Sequence, residues 1–299
     1  MFRQKISRKE TLNTLLKYPL RYYLMRLCHS HFIAGRPQLA IYSFDYIGQS
    51  ISVDGIYEIR ELELIESWLK CEKPHILSGT CLDIGANIGN HSVFFSKLFK
   101  QVIAFEPHPF AYRLLNLNTE SFSNIFVNKF GLSNKKQKAQ FYTYCGNVGG
   151  SSMVKGECAG IEKTLLDVYA LDDIIERKDT IKFVKIDVEG HELEVIEGGK
   201  ELFSFYHPLV LFEQQVNDFI NGSSTVIAKL KEYGYNNFYS MKTSPIRVNK
   251  NSLHGKLITL FYSLIFGGSK VMVKETSFSP GFYPMIVAER NSATLEKPD

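Results

Sequence analysis

A carboxylate, an amide and two glycines stand together where an apolar stretch near residue 80 ends. Asp83 comes near the end of this stretch, and a turn with Gly85, Asn87 and Gly89 follows it. The turn reads Asp-x-Gly-x-Asn-x-Gly, which differs from the Gly-x-Gly-x-x-Gly turn of dinucleotide-binding sites. A turn that keeps a carboxylate and an amide suits a ligand with an ammonium group, a carboxylate and a sulfonium, such as S-adenosylmethionine (SAM).

A second acidic residue ends the next apolar stretch. Glu106 follows residues 102–105 and lies 21 residues after Gly85, close to the interval of about 20 residues that separates a Gly-rich turn from a ribose-binding acid. Because a carboxylate can accept several hydrogen bonds, Glu106 is expected to bind both ribose hydroxyls. The alternative is that Gly85 and Gly89 only permit tight helix–sheet packing, which leaves Asp83 and Glu106 unexplained.

These residues resemble the FkbM family of SAM-dependent methyltransferases. The resemblance rests on residues 82–89, 105–107, 131–133 and 184–192, and it covers about residues 40 to 240. It implies that Leu132 and Ser133 lie on the adenine side and that the segment with Tyr57 and Glu58 helps to close the site. The full set of cofactor-binding residues it implies is Tyr57, Glu58, Asp83, Gly85, Ala86, Asn87, Gly89, Ser92, Glu106, Pro107, Leu132, Ser133 and Asp187.

Methyl transfer to a hydroxyl needs alignment of the two reactants and a group that takes the hydroxyl proton. Asp187 is the first candidate for this base, and Glu189 is the second. His191 is a further candidate, or else a first-turn helix residue that faces solvent, and Glu213 is expected to converge with the two acids. Carboxylates can bind a divalent cation through oxygen, but their spacing does not require one, and no metal ligand is predicted.

The acceptor predicted from this resemblance is a hydroxyl on a sugar of a bacterial surface polysaccharide, of the O-antigen or capsule type. A natural-product tailoring O-methyltransferase, acting on a polyketide or a similar compound, is the alternative. A membrane-docked SAM-binding protein without catalysis is an alternative of another class. A nicotinamide oxidoreductase is disfavoured because the Gly-x-Gly-x-x-Gly turn is missing.

Strands that alternate with helices predict an α/β Rossmann-like class I methyltransferase fold, with a mostly parallel seven-stranded sheet and helices on both faces. Ligands of such sheets bind beyond the carboxyl ends of the strands. The predicted strands are 80–84, 102–105, 125–130, 139–144, 181–186, 209–212 and 284–288, and the predicted helices are 60–70, 90–98, 110–119, 170–177 and 192–201. Residues 146–152 are predicted to form a glycine-rich loop.

An N-terminal cap is predicted over residues 1–75, and the methyltransferase domain over 76–299 with an insertion at about 245–280. The cap is expected to begin with a helical stretch that Pro19 interrupts. A strand pair is expected next, with strands over 39–44 and 50–53.

Composition is that of an ordinary globular protein: 299 residues, 44% apolar and 22% charged, with a net charge of +4 that does not by itself suggest nucleic acid. Five cysteines without a Cys-x-x-Cys pair indicate neither a zinc site nor a disulfide framework, and they favour the cytoplasm. Peripheral contact with the inner face of the membrane is an alternative role for basic residues 1–34 or for the apolar run 257–266.

Overall fold

The computed structural model describes residues 8–144, 147–152, 161–220, 222–243 and 270–291. The chain divides into two compact units, Met1–Ile59 and Arg60–Asp299. The apolar run 257–266 and most of the predicted insertion lie outside the described residues. Across the described ranges, no helix combines the length and the mean hydropathy that crossing a bilayer requires.

The first unit contains two helices, α1 (Arg8–Ile33) and α2 (Tyr46–Asp54). The predicted interruption at Pro19 is wrong: α1 continues through it, since the loss of one N–H donor is outweighed by the helical residues on both sides. The predicted strand pair is also wrong. The Asp45 side chain caps α2 by accepting a hydrogen bond from the backbone of Ile47, and Gly55 ends the helix at a φ of 81°.

The described residues of the second unit form two larger sheets and a short ribbon. The strands are β1 (Thr80–Ile84), β2 (Gln101–Phe105), β3 (Ile125–Asn128), β4 (Gly131–Ser133), β5 (Gln137–Tyr144), β6 (Asn147–Ser152), β7 (Ile161–Ala170), β8 (Ile181–Ile186), β9 (Leu209–Gln214), β10 (Phe219–Ile220), β11 (Ser223–Ser224), β12 (Asn237–Thr243), β13 (Lys270–Glu275) and β14 (Tyr283–Glu289). The helices are α3 (Ile59–Glu72), α4 (Asn90–Ser96), α5 (Pro109–Thr119), α6 (Leu171–Ile174), α7 (Glu192–Gly198) and α8 (Thr225–Glu232).

The main sheet has the order β13-β12-β14-β9-β8-β1-β2-β3. Strands β3, β2, β1, β8 and β9 are parallel, and β14, β12 and β13 join by antiparallel pairing. The α/β class I methyltransferase fold is confirmed, but the described main sheet has eight strands rather than seven. The predicted strand 139–144 belongs to the second sheet as β5, whereas β12 and β13 join the main sheet although neither was predicted as a strand. The chain runs from β1 outward to β2 and later returns to β8 on the other side, so the switch point lies between β1 and β8.

The second sheet, β4-β7-β5-β6, corrects two local predictions. Residues 147–152 pair with β5 instead of forming only a glycine-rich loop. The helix predicted over 170–177 shrinks to Leu171–Ile174. The reason is that β7 pairs with β5 over residues 161–168 and with β4 over residues 168–170, which keeps the chain extended as far as Ala170.

Buried side chains on both faces hold the central strands in place. All five residues of β1 are buried, which is typical of a strand covered on both faces of a parallel sheet. On one side Phe95 and Phe99 pack against Phe183 of β8, with ring centroids 5.3 and 5.1 Å apart. The carboxyl ends of β1, β2 and β8 are therefore held on rigid elements.

Candidate functional site

The turn between β1 and α4 is tightly folded, and its shape requires the two glycines. Gly85, Asn87 and Gly89 have φ values of 76°, 50° and 90°, in the left-handed region that favours glycine. A Cβ atom on Gly85 would overlap the carbonyl oxygen of Asp187, and one on Gly89 would crowd the side chain of Leu115. We call residues 85–89 the cofactor loop.

Glu106, at the end of β2, holds two neighbouring backbone segments. Its Oε2 accepts a hydrogen bond from the Asn87 N–H at 2.8 Å, and its Oε1 accepts one from the His108 N–H at 2.7 Å. Burial raises the pKa of Glu106 to about 7, although the two backbone hydrogen bonds favour the charged form. Each carboxylate oxygen has a second lone pair, so Glu106 can still accept hydrogen bonds from a ribose diol.

Asp83 does not point freely toward a ligand. Its side chain is fully buried, its Oδ2 accepts a hydrogen bond from Ser92 Oγ at 2.6 Å, and its Oδ1 lies 3.1 Å from the Nζ atom of Lys185. The same Nζ lies 3.3 Å from Oδ2 of Asp187. The bond between Asp83 and Ser92 therefore joins β1 to α4, the two elements that flank the cofactor loop. Any contact of these two side chains with a ligand is indirect.

Asp187, the first candidate base, directly follows β8 at the switch point. About a third of its side chain, 32%, is exposed, in contrast to 0% for Asp83. Its backbone N–H donates to the carbonyl oxygen of Ile84 at 3.0 Å. The structure thus places an accessible carboxylate directly beside the cofactor loop.

A strained turn follows Asp187. Glu189 and Gly190 have φ values of 55° and 92°, and the Oε1 atom of Glu192 stabilises the turn by accepting hydrogen bonds from the N–H groups of Val188 and Gly190. Burial raises the pKa of Glu192 to about 8. The turn directs the Glu189 side chain toward the end of β9.

Glu189 and Glu213 are joined by the amide of Gln215. Its Nε2 atom donates to Oε2 of Glu189 and to Oε1 of Glu213, both at 2.9 Å. Burial and the charge of Asp187 raise the pKa of Glu189 to about 7. Burial, Asp187 and Glu189 together raise the pKa of Glu213 to about 9. The structure thus brings together Asp187, Glu189 and Glu213. At neutral pH these three carboxyl groups carry fewer than three negative charges.

His191 is mostly buried rather than facing solvent, and the contacts of its ring are with Ser133 and Glu194 rather than with Asp187, Glu189 or Glu213. Its Nε2 atom is 2.9 Å from the Ser133 hydroxyl, and its Nδ1 is 3.4 Å from a carboxylate oxygen of Glu194. Burial lowers the pKa of His191, and the charge of Glu194 opposes this shift. Ser133 is therefore tied to His191 by its side chain.

The other predicted cofactor residues fall into two groups. Ala86 and Leu132 are buried near the carboxyl edge of the sheet, and Pro107 follows Glu106 there. Tyr57 and Glu58 belong to the first unit, where the Tyr57 ring packs edge-on against Tyr46 at 6.2 Å. The role of Tyr57 and Glu58 stays a prediction.

Three site residues were missed by the sequence reasoning: Lys185, Glu192 and Gln215. Lys185 had a visible signal, because it is a cation inside the apolar strand 181–186. It is 4% exposed, and charged side chains are seldom so deeply buried unless they are paired. No comparable signal marks Gln215, whose role depends on where β9 ends relative to Glu189.

The residues at this edge fit the binding of SAM. In the described part of the chain, the buried Oδ1 atom of Asn87 has no hydrogen-bond partner, and such an atom is costly unless something donates to it. It stands in the cofactor loop beside Glu106, so an ammonium group and a ribose diol would both find acceptors here.

No group of three or more His, Cys, Asp or Glu side chains in the described ranges is arranged to hold a metal ion.

The raised pKa values predict how stability changes with pH. Glu213 binds its proton more tightly in the folded state than the ordinary value of 4.5 for glutamate, so the free energy of unfolding should fall as the pH rises from about 5 to about 9. Glu213→Gln should make this decline shallower and stabilise the protein by about 1 kcal/mol or more near pH 8. Urea unfolding at several pH values measures the effect, with exposed Glu176→Gln as the control. Equal pH slopes in wild type and Glu213→Gln would contradict the prediction.

Comparison with known proteins gives one family match. Residues 83–236 match the family model described as the methyltransferase FkbM domain, which is just over half of the chain. The matched region contains the cofactor loop, Glu106, β8 and the acidic group that follows it.

Two curated proteins and one solved structure illustrate the similarity. Hexuronic acid methyltransferase AglP of Haloferax volcanii is 32% identical over 155 residues, covering 49% of this chain and 61% of that protein. Methyltransferase sdnD of Sordaria araneosa is 26% identical over 192 residues, covering 52% of this chain and 69% of that protein. A crystal structure of methyltransferase FkbM from Methylobacillus flagellatus has a TM-score of 0.39 and 18% identity, over 90% of this chain and 60% of that one.

Proposed function

The chain belongs to the FkbM methyltransferase family, and we propose that it transfers the methyl group of SAM to a hydroxyl group of a sugar. The observation that carries the proposal is the position of two groups at one edge of the sheet. The cofactor loop and Glu106 form a cradle for a nucleoside with an amino-acid tail, and the carboxylate of Asp187 lies beside them.

SAM bound in this cradle would supply a methyl group activated by the sulfonium, with S-adenosylhomocysteine as the leaving group. Glu106 would accept hydrogen bonds from the ribose, and Asn87 Oδ1 would accept one from the ammonium group. Asp187 takes the proton of the acceptor hydroxyl as the new bond forms, since general-base groups must lie within hydrogen-bond reach of the proton that they remove. Glu189 is the second candidate for this role, and Gln215 holds its carboxylate in place.

The charges at the site support an acceptor hydroxyl in an uncharged part of the sugar. Asp187, Glu189 and Glu213 cluster there, and the nearby cation of Lys185 is already paired with Asp83 and Asp187. Glu213 keeps its proton at neutral pH, but an acceptor carboxylate would be repelled by Asp187 and by the ionised fraction of Glu189. The name of the Haloferax relative supports a sugar as the acceptor, while the acidic group favours neutral over uronic sugars here.

The test of the cofactor is thermal unfolding with S-adenosylhomocysteine (SAH), SAM and NAD in parallel. A ligand at about 100 times its dissociation constant stabilises the folded state by roughly 2.7 kcal/mol. We expect SAH and SAM to raise the Tm and NAD to leave it unchanged. A shift with NAD alone, or with none of the three, would contradict the proposal.

The acceptor is identified by transfer of a radiolabelled methyl group from SAM to a panel of glycans. The panel contains neutral and uronic methyl glycosides and saccharides from O-antigen and capsule, because we propose a bacterial surface polysaccharide as the natural acceptor. Hydroxylated polyketides without a sugar are tested in parallel, as acceptors of the alternative kind. Label in the neutral sugars supports the proposal. Label only in compounds without a sugar would replace it with the tailoring of a natural product.

The proposal also includes a cytoplasmic location with peripheral contact to the inner face of the membrane. Lys17, Arg21 and Arg26 on α1 are exposed, and so are the large apolar side chains Leu15, Leu16, Tyr18, Leu20, Tyr22, Tyr23, Met25, Phe32 and Ile33. The apolar and basic side chains are not separated onto two faces of α1, so the proposal rests on the attraction of the basic residues to anionic lipid.

Vesicle flotation tests this contact. The wild-type protein should float with phosphatidylglycerol vesicles and not with phosphatidylcholine vesicles. The variant Lys17→Glu/Arg21→Glu/Arg26→Glu should lose most of the binding, because each basic residue near an anionic surface contributes about 1 kcal/mol. Absence of the wild type from the floated fraction would contradict membrane contact.

A further inference from the structure

Lys185 is buried in the centre of the main sheet, and three oxygen atoms lie close to its ammonium group. Its Nζ atom donates to the carbonyl oxygen of Gly85 at 2.9 Å, and it lies 3.1 Å from Asp83 Oδ1 and 3.3 Å from Asp187 Oδ2. A lysine ammonium has three N–H donors and no acceptor. One hydrogen bond and two ion pairs therefore hold the ammonium group between the cofactor loop and two carboxylates.

The pairing register of β1 and β8 creates this arrangement. Lys185 is the direct partner of Asp83 on the adjacent parallel strand, and Asp187 follows two residues later, on the same face of the extended chain. A shift of the register by one residue would turn Lys185 to the opposite face. The contacts thus follow from the sheet itself and not from the conformation of a flexible loop.

We propose that Lys185 is a positioning residue that couples the cofactor loop to Asp187. One contact fixes the carbonyl of Gly85, the first residue of the loop, and another fixes the carboxylate of Asp187. Two backbone features strengthen the link: the Asp187 N–H donates to Ile84, and Gly85 packs against the Asp187 carbonyl with no room for a Cβ. The inference rests on the proposed function, because it assigns SAM to this loop.

Charge balance supports the same role. Burial by itself lowers the pKa of the Lys185 ammonium, but Asp187 and Asp83 together outweigh it, so that the pKa is raised and the lysine stays charged. The cation thereby offsets the charge of the fully buried Asp83. It also draws Asp187 toward the loop at the position where the methyl group is to be transferred.

A purely stabilising role for Lys185 makes a different prediction from a positioning role. A lysine that only stabilises the fold would change the Tm, and the protein that remained folded would bind SAH normally. A lysine that positions the loop changes the affinity of the folded protein for SAH. The affinity, measured well below the Tm of each variant, is therefore the decisive quantity.

The experiment is isothermal titration of SAH into wild type, Lys185→Met and Lys182→Met, with circular dichroism to verify folding. Lys182→Met is the matched control, because Lys182 is an exposed lysine on the same strand. We expect Lys185→Met to raise the dissociation constant about tenfold or more, within the usual range of coupling between sites. Lys182→Met should stay within about twofold of wild type.

A folded Lys185→Met protein with an SAH dissociation constant close to that of wild type overturns the proposal. If Lys185→Met does not fold, Asp83→Asn/Lys185→Met replaces it, since the joint removal of buried charges is tolerated better than the removal of one partner. The double variant should show the same loss of affinity. Normal SAH binding by it, or its failure to fold, would make Lys185 a stabilising residue only. Absence of SAH binding to wild type would instead contradict the proposed function.

Discussion

Replacing Asp187 with asparagine should lower kcat by about 10²- to 10⁴-fold, the usual contribution of a general acid or base. Asparagine preserves the size of the side chain but cannot take the proton of the acceptor hydroxyl. Lys185 keeps Asp83 as its partner in this variant, so the fold should be retained. The KM for SAM should change little, because the proposed function assigns Asp187 to the reacting hydroxyl and Glu106 to the ribose. Steady-state kinetics with the acceptor found in the glycan panel measures both constants.

The control for this prediction is Asp173→Asn, which changes an exposed aspartate at the start of α6 and should leave kcat within about twofold of wild type. A kcat of Asp187→Asn close to that of wild type would remove Asp187 as the base and direct attention to Glu189. A large rise in the KM for SAM with an unchanged kcat would assign Asp187 to cofactor binding alone.

Replacing Glu106 with glutamine should weaken SAH binding by about 10- to 100-fold. The wild-type carboxylate accepts hydrogen bonds from the Asn87 and His108 N–H groups, and it is expected to accept the ribose hydroxyls as well. A glutamine amide turns one acceptor oxygen into a donor, so at least one of these donors loses its partner. Hydrogen bonds to a charged group contribute about 1.5–3 kcal/mol, which corresponds to the stated loss. Isothermal titration of SAH measures it.

The pH dependence of SAH binding gives an independent check. The pKa of Glu106 is about 7, so its carboxylate is lost as the pH falls through this value, and wild-type affinity should decline from about pH 8 to about pH 6. Glu106→Gln should show a weaker dependence over this range, whereas exposed Glu120→Gln should behave like wild type. An SAH affinity of Glu106→Gln equal to that of wild type would show that Glu106 does not bind the ribose.

The features that the sequence predicted well are local ones. The cofactor loop and Glu106 follow apolar strands at a diagnostic interval, and the structure places both at the carboxyl edge of the sheet. The strands over 80–84 and 181–186 were predicted at the observed bounds, because continuous apolar runs of this length are typical of buried parallel strands. The acids at 187, 189 and 213 converge as expected, since strand ends of a parallel sheet meet at one edge.

The predictions for residues 147–152 and 170–177 failed because the outcome depended on partners distant in sequence. Residues 147–152 pair with β5, and residues 161–170 pair with β5 and β4. The strand pair predicted around residue 50 failed for a local reason. The segment around residue 50 is a helix because Asp45 and Gly55 cap it. The apolar residues there alternate as they do in a strand pair. In so short a segment the spacing of apolar residues does not by itself distinguish a strand from a helix.

The amino-acid sequence by itself determined the family, the kind of cofactor and the identity of the acidic residues, because those depend on residue types at short spacing. Only the tertiary structure decided what each acid does. Asp83, Asp187 and Glu213 are similar carboxylates in the sequence, yet one is neutralised by Lys185, one is partly exposed beside the cofactor loop, and one keeps its proton to a pH of about 9. The surroundings of the three carboxylates differ in burial and in the charges that the pairing of β1, β8 and β9 brings within a few ångströms. Neither the burial nor these neighbouring charges can be inferred from a local sequence motif.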